Sequence, residues 1–418
     1  MKTKQIYMML MLALTFNLSA CGSSGDGSET EALTAMPQSA EADSSENAGN
    51  ENGDDYDVID LLDRDTDKKT METGTVKASA FSGKVRDLYY AGGSRIIVAA
   101  DKLYLYDTEK GENIASADIS MEELCVQAYA DGYFIVGRGN GGGGNGSFAT
   151  SQSGGGINGY LLNKNFEIKN TISFNELLND DFILHTGGVA ITQDGKQVAF
   201  GGLQGLYLYD TSSKKVRTIL SYAEEGRTNN IQIATMESLA FTKDNTLVYV
   251  GIATDSSNGG DGFSVYGTVS TDGANLTITK KADYQVDTEE VQKGGNLIIM
   301  PQSFDRNNGT LLMLDTASMT EKMMKFSGGS EGKDGVYCSG QGKYVATSVL
   351  GKNSVTINIY DTASGKNIHT ETVKDNDSTY FLRVPQILIL DESGTCIVVL
   401  GRGIDEVRTL IKTFGFKG

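Results

Sequence analysis

Tryptophan is absent from the 418 residues, histidine occurs twice, proline three times and cysteine four times. Two histidines and four scattered cysteines leave no pair at metal-ligand spacing, which excludes a copper or zinc centre built on those ligands. No Ser, His and Asp fall at a spacing recognisable as a catalytic set. With so little proline, turns fall to Asn, Asp and the 51 glycines, which suits a chain of many tight hairpins. Basic residues are in deficit, 36 against 54 acidic, for a net charge of −18. That balance excludes nucleic acid as a partner and a surface drawn to anionic lipid.

What the chain does have is a repeat. Residues 189–220 contain four short β-type runs, Val189–Ile191, Val198–Phe200, Leu206–Tyr209 and Val216–Ile219, separated by turn residues such as Asp194-Gly195. Their third run and its turn recur as LYLYDTEKGENI (103–114), LYLYDTSSKKV (206–216), LLMLDTASMTEK (311–322) and INIYDTASGKNI (357–368). The aspartates Asp107, Asp210, Asp315 and Asp361 fall at one long, a second long and one short interval. Each long interval holds a worn copy, GYLLNKNFEIKNTI (159–172) and VYGTVSTDGANLTI (265–278). A period of about 50 residues marks an array of similar units. The expected fold is all-β: a seven-bladed β-propeller of four-stranded antiparallel blades, over 86–119, 126–174, 188–220, 238–280, 291–327, 335–373 and 386–418. The last blade is one strand short. The unassigned run Thr75–Phe81 is expected to supply that outer strand and to close the ring from both ends.

Upstream, residues 1–21 read as a targeting segment. Lys2 and Lys4 precede an apolar stretch, 6–16, too short to span a bilayer as a mature helix. Leu18-Ser19-Ala20-Cys21 resembles the lipobox of bacterial lipoproteins, and the resemblance implies lipidation of Cys21. Residues 22–72 carry 15 acidic against 3 basic residues and few large apolar ones, so they are expected to remain a disordered acidic tether. Asp63, Asp65 and Asp67 alternate like the start of a calcium loop, but Lys68 and Gly74 stand where that loop needs Gly and Glu. The folded domain is expected over 73–418.

The blades resemble WD-repeat and YVTN-type seven-bladed propellers over about 345 residues. The likeness lies in the pattern. Tyr-Asp at 106–107, 209–210 and 360–361 stands where a WD repeat has Trp-Asp, and the Gly-His brace is missing. The Tyr-Asp-Thr turn also resembles pyrroloquinoline-quinone-type repeats of bacterial extracytoplasmic scaffolds, without their tryptophan. The aspartates are expected to cap the turn between third and fourth strands. Cys125, Cys338 and Cys396 read as small buried side chains, with a disulfide between two of them left open.

In such a ring the short turns fall on one face and the long connections on the other. Candidate binding residues on the long-connection face are Arg138, His185, Arg227, Asn229, Asp305, Arg306, Asp375, Tyr380, Arg383 and Arg402. The Gly-rich stretch 137–159 spells GxGxxG but lacks the strand-then-helix setting of a phosphate cradle. No cofactor or metal is expected. The expected function is a monomeric, non-catalytic binding or scaffold protein on the outer face of the cytoplasmic membrane, or at an outer membrane. It would meet a protein partner or a small ligand through the long-connection face. A propeller enzyme, of the lactonase, lyase or quinone-dependent dehydrogenase kind, is the alternative.

Overall fold

Successive side chains of a strand point to opposite faces, and in this chain both faces are apolar. In Arg95–Ala99, Ile96 and Val98 point one way and Ile97 and Ala99 the other, and all four are buried. A sheet with two apolar faces must be covered on both, and a ring of such sheets achieves that without end pieces.

The computed structural model describes residues 58–60, 76, 80–82, 85–139, 156–178, 183, 185–255, 262–281, 284–288, 290–302, 310–325, 335–351, 353–374, 385–401 and 409–416. All belong to one unit, Asp55–Gly418. Seven antiparallel sheets follow in order. Blade 1 comprises Asp87–Gly92, Arg95–Ala99, Leu103–Asp107 and Glu112–Ala117. Blade 2 comprises Met121–Tyr129, Gly132–Gly139, Ile157–Asn163 and Ile168–Ser173. Blade 3 comprises Val189–Ile191, Gln197–Gly201, Gly205–Asp210 and Lys215–Ser221. Blade 4 has Ile231–Phe241, Leu247–Asp255, Gly262–Val269 and Thr279–Lys281, with Arg227–Thr228 as a fifth, two-residue strand on its inner edge. Blade 5 comprises Gln292–Gly294, Leu297–Pro301, Thr310–Asp315 and Thr320–Lys325. Blade 6 comprises Gly335–Cys338, Tyr344–Leu350, Ser354–Asp361 and Asn367–Lys374. Blade 7 comprises Gln386–Leu390, Thr395–Gly401, Thr409–Gly415 and, as its outer strand, Val58–Asp60. Both worn copies are third strands, of blades 2 and 4. Among the described residues no helix is long and apolar enough to cross a membrane.

The ring is closed by an N-terminal strand, but not by the one the pattern pointed to. Val58, Ile59 and Asp60 pair with Lys412, Ile411 and Leu410. They lie inside 22–72, so the domain starts earlier than residue 73. The Thr75–Phe81 run does something else. Val76 and Phe81 are buried between blades 7 and 1, beside Leu88, Tyr104, Leu388 and Ile411. The Phe81 ring sits 5.4 Å from that of Tyr104 and 5.3 Å from that of Tyr106. The described apolar residues of that run, Val76 and Phe81, pack between sheets.

Seven apolar clusters hold the ring, and each straddles two neighbouring blades. Phe134 and Phe174 of blade 2 meet Phe200 of blade 3, for example, with the latter two rings 5.0 Å apart. Each buried Leu, Ile or Phe contributes about 1.5–3 kcal/mol. No blade keeps a core of its own.

The Asp-Thr pairs fix the short-turn face. Asp107 Oδ1 accepts from the amides of Glu109 and Lys110 at 3.0 and 3.2 Å, and from Ser94 Oγ at 3.1 Å. Asp210, Asp315 and Asp361 accept amides of their own turns in the same way. These are the turn caps expected. The threonine that follows ties this turn to the neighbouring one. Thr108, Thr211, Thr316 and Thr362 hydroxyls donate to the carbonyls of Ser94, Gly195, Asn296 and Gly342. Both turns of a blade are thus bonded together on one face.

Candidate functional site: the long-connection face and the ring axis

Antiparallel order puts the connections between second and third strands, and those between blades, opposite the Asp-Thr turns. The described part of this face is dominated by blade 4. The stretch after Ser221, expected as a loop, is largely strand. Arg227–Thr228 turns back on Ile231–Gln232 through Asn229 and Asn230, whose φ values are 51° and 65°. Two successive left-handed residues make a type I′ hairpin, and Asn tolerates that backbone. Ile231–Phe241 is 11 residues long and pairs with Leu247–Asp255 along its length, so the hairpin stands as a crest above the ring. Arg227 donates to Gln232 Oε1 at 2.9 Å, and Gln232 Nε2 donates to the Tyr222 carbonyl at 2.9 Å.

Arg227 and Asn229 therefore share this crest, both exposed. Arg138 sits elsewhere, half-buried near the end of the second strand of blade 2, with Glu122 as its register partner. His185 is half-buried just before the turn Thr186–Gly188, and its carbonyl accepts from the Gly188 amide at 3.0 Å. Asp305, Arg306, Asp375, Tyr380, Arg383 and Arg402 lie outside the described residues, as does Cys21. His369, on the outer strand of blade 6, is half-buried, its ring 5.5 Å from that of Phe414 and Nε2 3.5 Å from Glu371. Glu371 also binds Lys412 Nζ at 3.2 Å, a buried pair joining blades 6 and 7.

Polar side chains that the sequence did not single out gather at the axis, where inner strands converge. Gln127 of blade 2 reaches the inner edge of blade 3, donating to the Val189 carbonyl at 2.7 Å and accepting from the Ile191 amide at 3.2 Å. Lys293 of blade 5 donates to the Leu239 carbonyl of blade 4 at 2.6 Å and to the Gly187 carbonyl at 3.0 Å. Backbone edges with no strand beyond them are thus satisfied by side chains from other blades. Burial lowers the Lys293 pKa from its ordinary value, and the nearby Cys125 opposes that shift. The next residue, Gly294, lies against the opposite neighbour: a Cβ there would lie 2.0 Å from the Ser339 carbonyl oxygen of blade 6. Tyr89 of blade 1 donates to Asp87. Burial raises the Asp87 pKa to about 6, against the Tyr89 bond, the Leu88 amide and Arg86. Burial, then Asp87, keep Tyr89 protonated. The inner strand of blade 2 breaks register between Glu122 and Cys125, and that of blade 4 does so twice, between Ile233 and Ser238. Bulges of this kind re-aim side chains, here on two strands that border the axis.

Among the described residues no three His, Cys, Asp or Glu side chains gather as a metal site needs. No protein-family model matches the sequence, and no curated protein matches it. Among solved structures, the β-propeller domain of Cps50 (Swd1) from Myceliophteria thermophila is similar at a TM-score of 0.51 and 9% identity, covering 79% of this chain and 97% of that one. A eukaryotic initiation factor aligns at a TM-score of 0.45 and 13% identity, over 81% of this chain and 87% of its own. At such identities the likeness concerns fold alone, and the fold it supports is a WD-repeat-like seven-bladed β-propeller.

Proposed function

We propose that this protein is a lipid-anchored, extracytoplasmic propeller that acts as a non-catalytic binding or scaffold protein through its long-connection face. The observation that carries this reading is the asymmetry of the two faces. One is fastened turn to turn by the Asp-Thr pairs. The other bears the blade 4 crest and the long connections, where variation costs the ring little. Anchoring rests on the Leu18–Cys21 resemblance.

Two measurements test the two halves. Metabolic labelling with an alkyne fatty acid should mark the wild-type chain and not Cys21→Ser, and the wild type should partition into detergent. An unlabelled wild type would sink the anchor. Cross-linking in intact cells should recover one stoichiometric partner that Arg227→Glu with Asn229→Asp loses. Recovery unchanged by those substitutions, or by others along the same face, would sink the binding surface.

The polar axis favours a second reading, a propeller enzyme acting on a small molecule. Its sign would be a multi-degree melting shift with one class among sugars, lactones and divalent ions, abolished by Lys293→Met.

A further inference from the structure

The strand that closes the ring has a direction. Each third strand runs from the long-connection face to the short-turn face. In blade 7 that strand is Thr409–Gly415, and its end meets the turn between the first two strands. Gly415 pairs with Thr395, and the Phe416 amide donates to the Gly394 carbonyl at 2.9 Å. Val58–Asp60 runs antiparallel to it, with Val58 opposite Lys412 and Asp60 opposite Leu410. Asp60 is therefore the end nearer the long-connection face and Val58 the end nearer the short-turn face. The closing strand thus enters the ring from the short-turn side, with only Thr413, Phe414 and Gly415 between its first pair and that rim.

The edge that receives the strand is fixed on both sides. Lys412 is held by Glu371 of blade 6 at 3.2 Å, and Ile411 is buried between blades 7 and 1. A strand rises about 3.3 Å per residue, so Thr409–Gly415 puts roughly 20 Å between the two rims. The blade 4 crest, with Arg227 and Asn229 exposed on it, stands on the far face.

We infer that the ring is held to the bilayer by its short-turn face and turns the crest away from it, toward a protein partner that approaches from the aqueous side and is not embedded in the same bilayer. This rests on the lipid anchor at Cys21 proposed above. A tether that joins the ring at the short-turn rim must run along the ring's whole side before the opposite face can meet the lipid. Each residue laid along that path loses chain freedom, so the opposite orientation is entropically costly. The Asp-Thr turns, bonded to one another, form the face that looks at the bilayer. The crest and the long connections are left open to the partner.

The test places the lipidated full-length chain on phosphatidylcholine vesicles whose headgroups carry an acceptor dye. A fluorescent amino acid stands in place of Ser212, in the Asp-Thr turn of blade 3, or of Arg227, on the crest, both exposed positions. Energy transfer to the bilayer should be roughly twofold or more stronger from position 212, given about 20 Å of added height at position 227. Equal transfer, or stronger transfer from position 227, overturns the inference while leaving the anchor standing. Transfer from neither position, matching a Cys21→Ser baseline, removes the anchor and the inference together. Duplicating residues 22–57 leaves the ring untouched and should narrow the difference between the two positions. A difference unchanged by that longer tether would mean that something else orients the ring, and overturns the inference as well.

Discussion

Asp107 and Asp210 hold the same place in two copies of one turn, yet losing them should cost different amounts. Asp107 is buried and accepts three bonds, one of them from Ser94, whereas Asp210 is half-buried and accepts only from the amides of its own turn. Asp107→Ala should cost about 1.5–3 kcal/mol in urea unfolding, the range for bonds to a charged group, and Asp210→Ala measurably less. At the interface of blades 6 and 7, removing one partner of the buried Lys412–Glu371 pair leaves a charge without compensation. Lys412→Met alone should cost about 3–5 kcal/mol, and adding Glu371→Leu should restore most of it. Asp87 sets a pH dependence. An acid whose pKa the fold raises stabilises below its unfolded value, near 3.8, and loses that contribution as pH rises through about 6. Wild-type stability should therefore fall across that window relative to Asp87→Asn, as read from melting temperature against pH. Equal slopes would mean that Asp87 titrates normally.

At the scale of elements, the closing strand and the crest make the sharpest claims. Val58–Asp60 contributes backbone pairing to the edge of Thr409–Gly415. A chain beginning at residue 61 should show faster hydrogen exchange in 409–412 and a lower urea midpoint than one beginning at residue 55. Equal midpoints would mean that the strand adds nothing. In the crest, Asn230→Gly should be neutral or stabilising, and Asn230→Val should cost about 1–2 kcal/mol, the penalty for a left-handed β-branched residue. The sequence made the blades legible because Asp-Thr recurs where the third strand ends in blades 1, 3, 5 and 6. It did not make the closing strand legible. Two apolar residues between Asp57 and Asp60 look like part of an acidic stretch, and pairing through the backbone leaves no side-chain pattern. Thr75–Phe81 carries the more regular alternation, yet the outer strand of blade 7 is Val58–Asp60. The threonine ties could have been found, since Thr108, Thr211, Thr316 and Thr362 repeat as faithfully as the aspartates before them.

For the molecule as a whole, the claim is that the junction of blades 7 and 1 is as fully packed as any other. Phe81→Ala at that junction and Phe200→Ala between blades 2 and 3 should each cost about 3–5 kcal/mol, and unfolding should remain one transition by two spectroscopic signals. A small cost at Phe81 alone would mean an open seam. Closure also explains why the axis escaped notice in the sequence. Asp87, Tyr89, Cys125, Gln127 and Lys293 share no motif, and only the circular arrangement of blades brings their strands to one place. The face was easier to read than the residues on it, since the length of a connection is visible in sequence and a long-range hydrogen bond is not. The clasp has one more consequence. Because it falls within blade 7, the covalent gap lies inside a sheet and is bridged by backbone. If the chain were rewired so that its gap lay at residues 118–120, both ends would finish on whole sheets. Only side chains such as Leu105 and Ile135 would then hold the circle shut. A gap at residues 108–111 would rebuild the native arrangement in a different sheet. Comparing the two rewired chains would separate what peptide groups and what side chains contribute to shutting the circle.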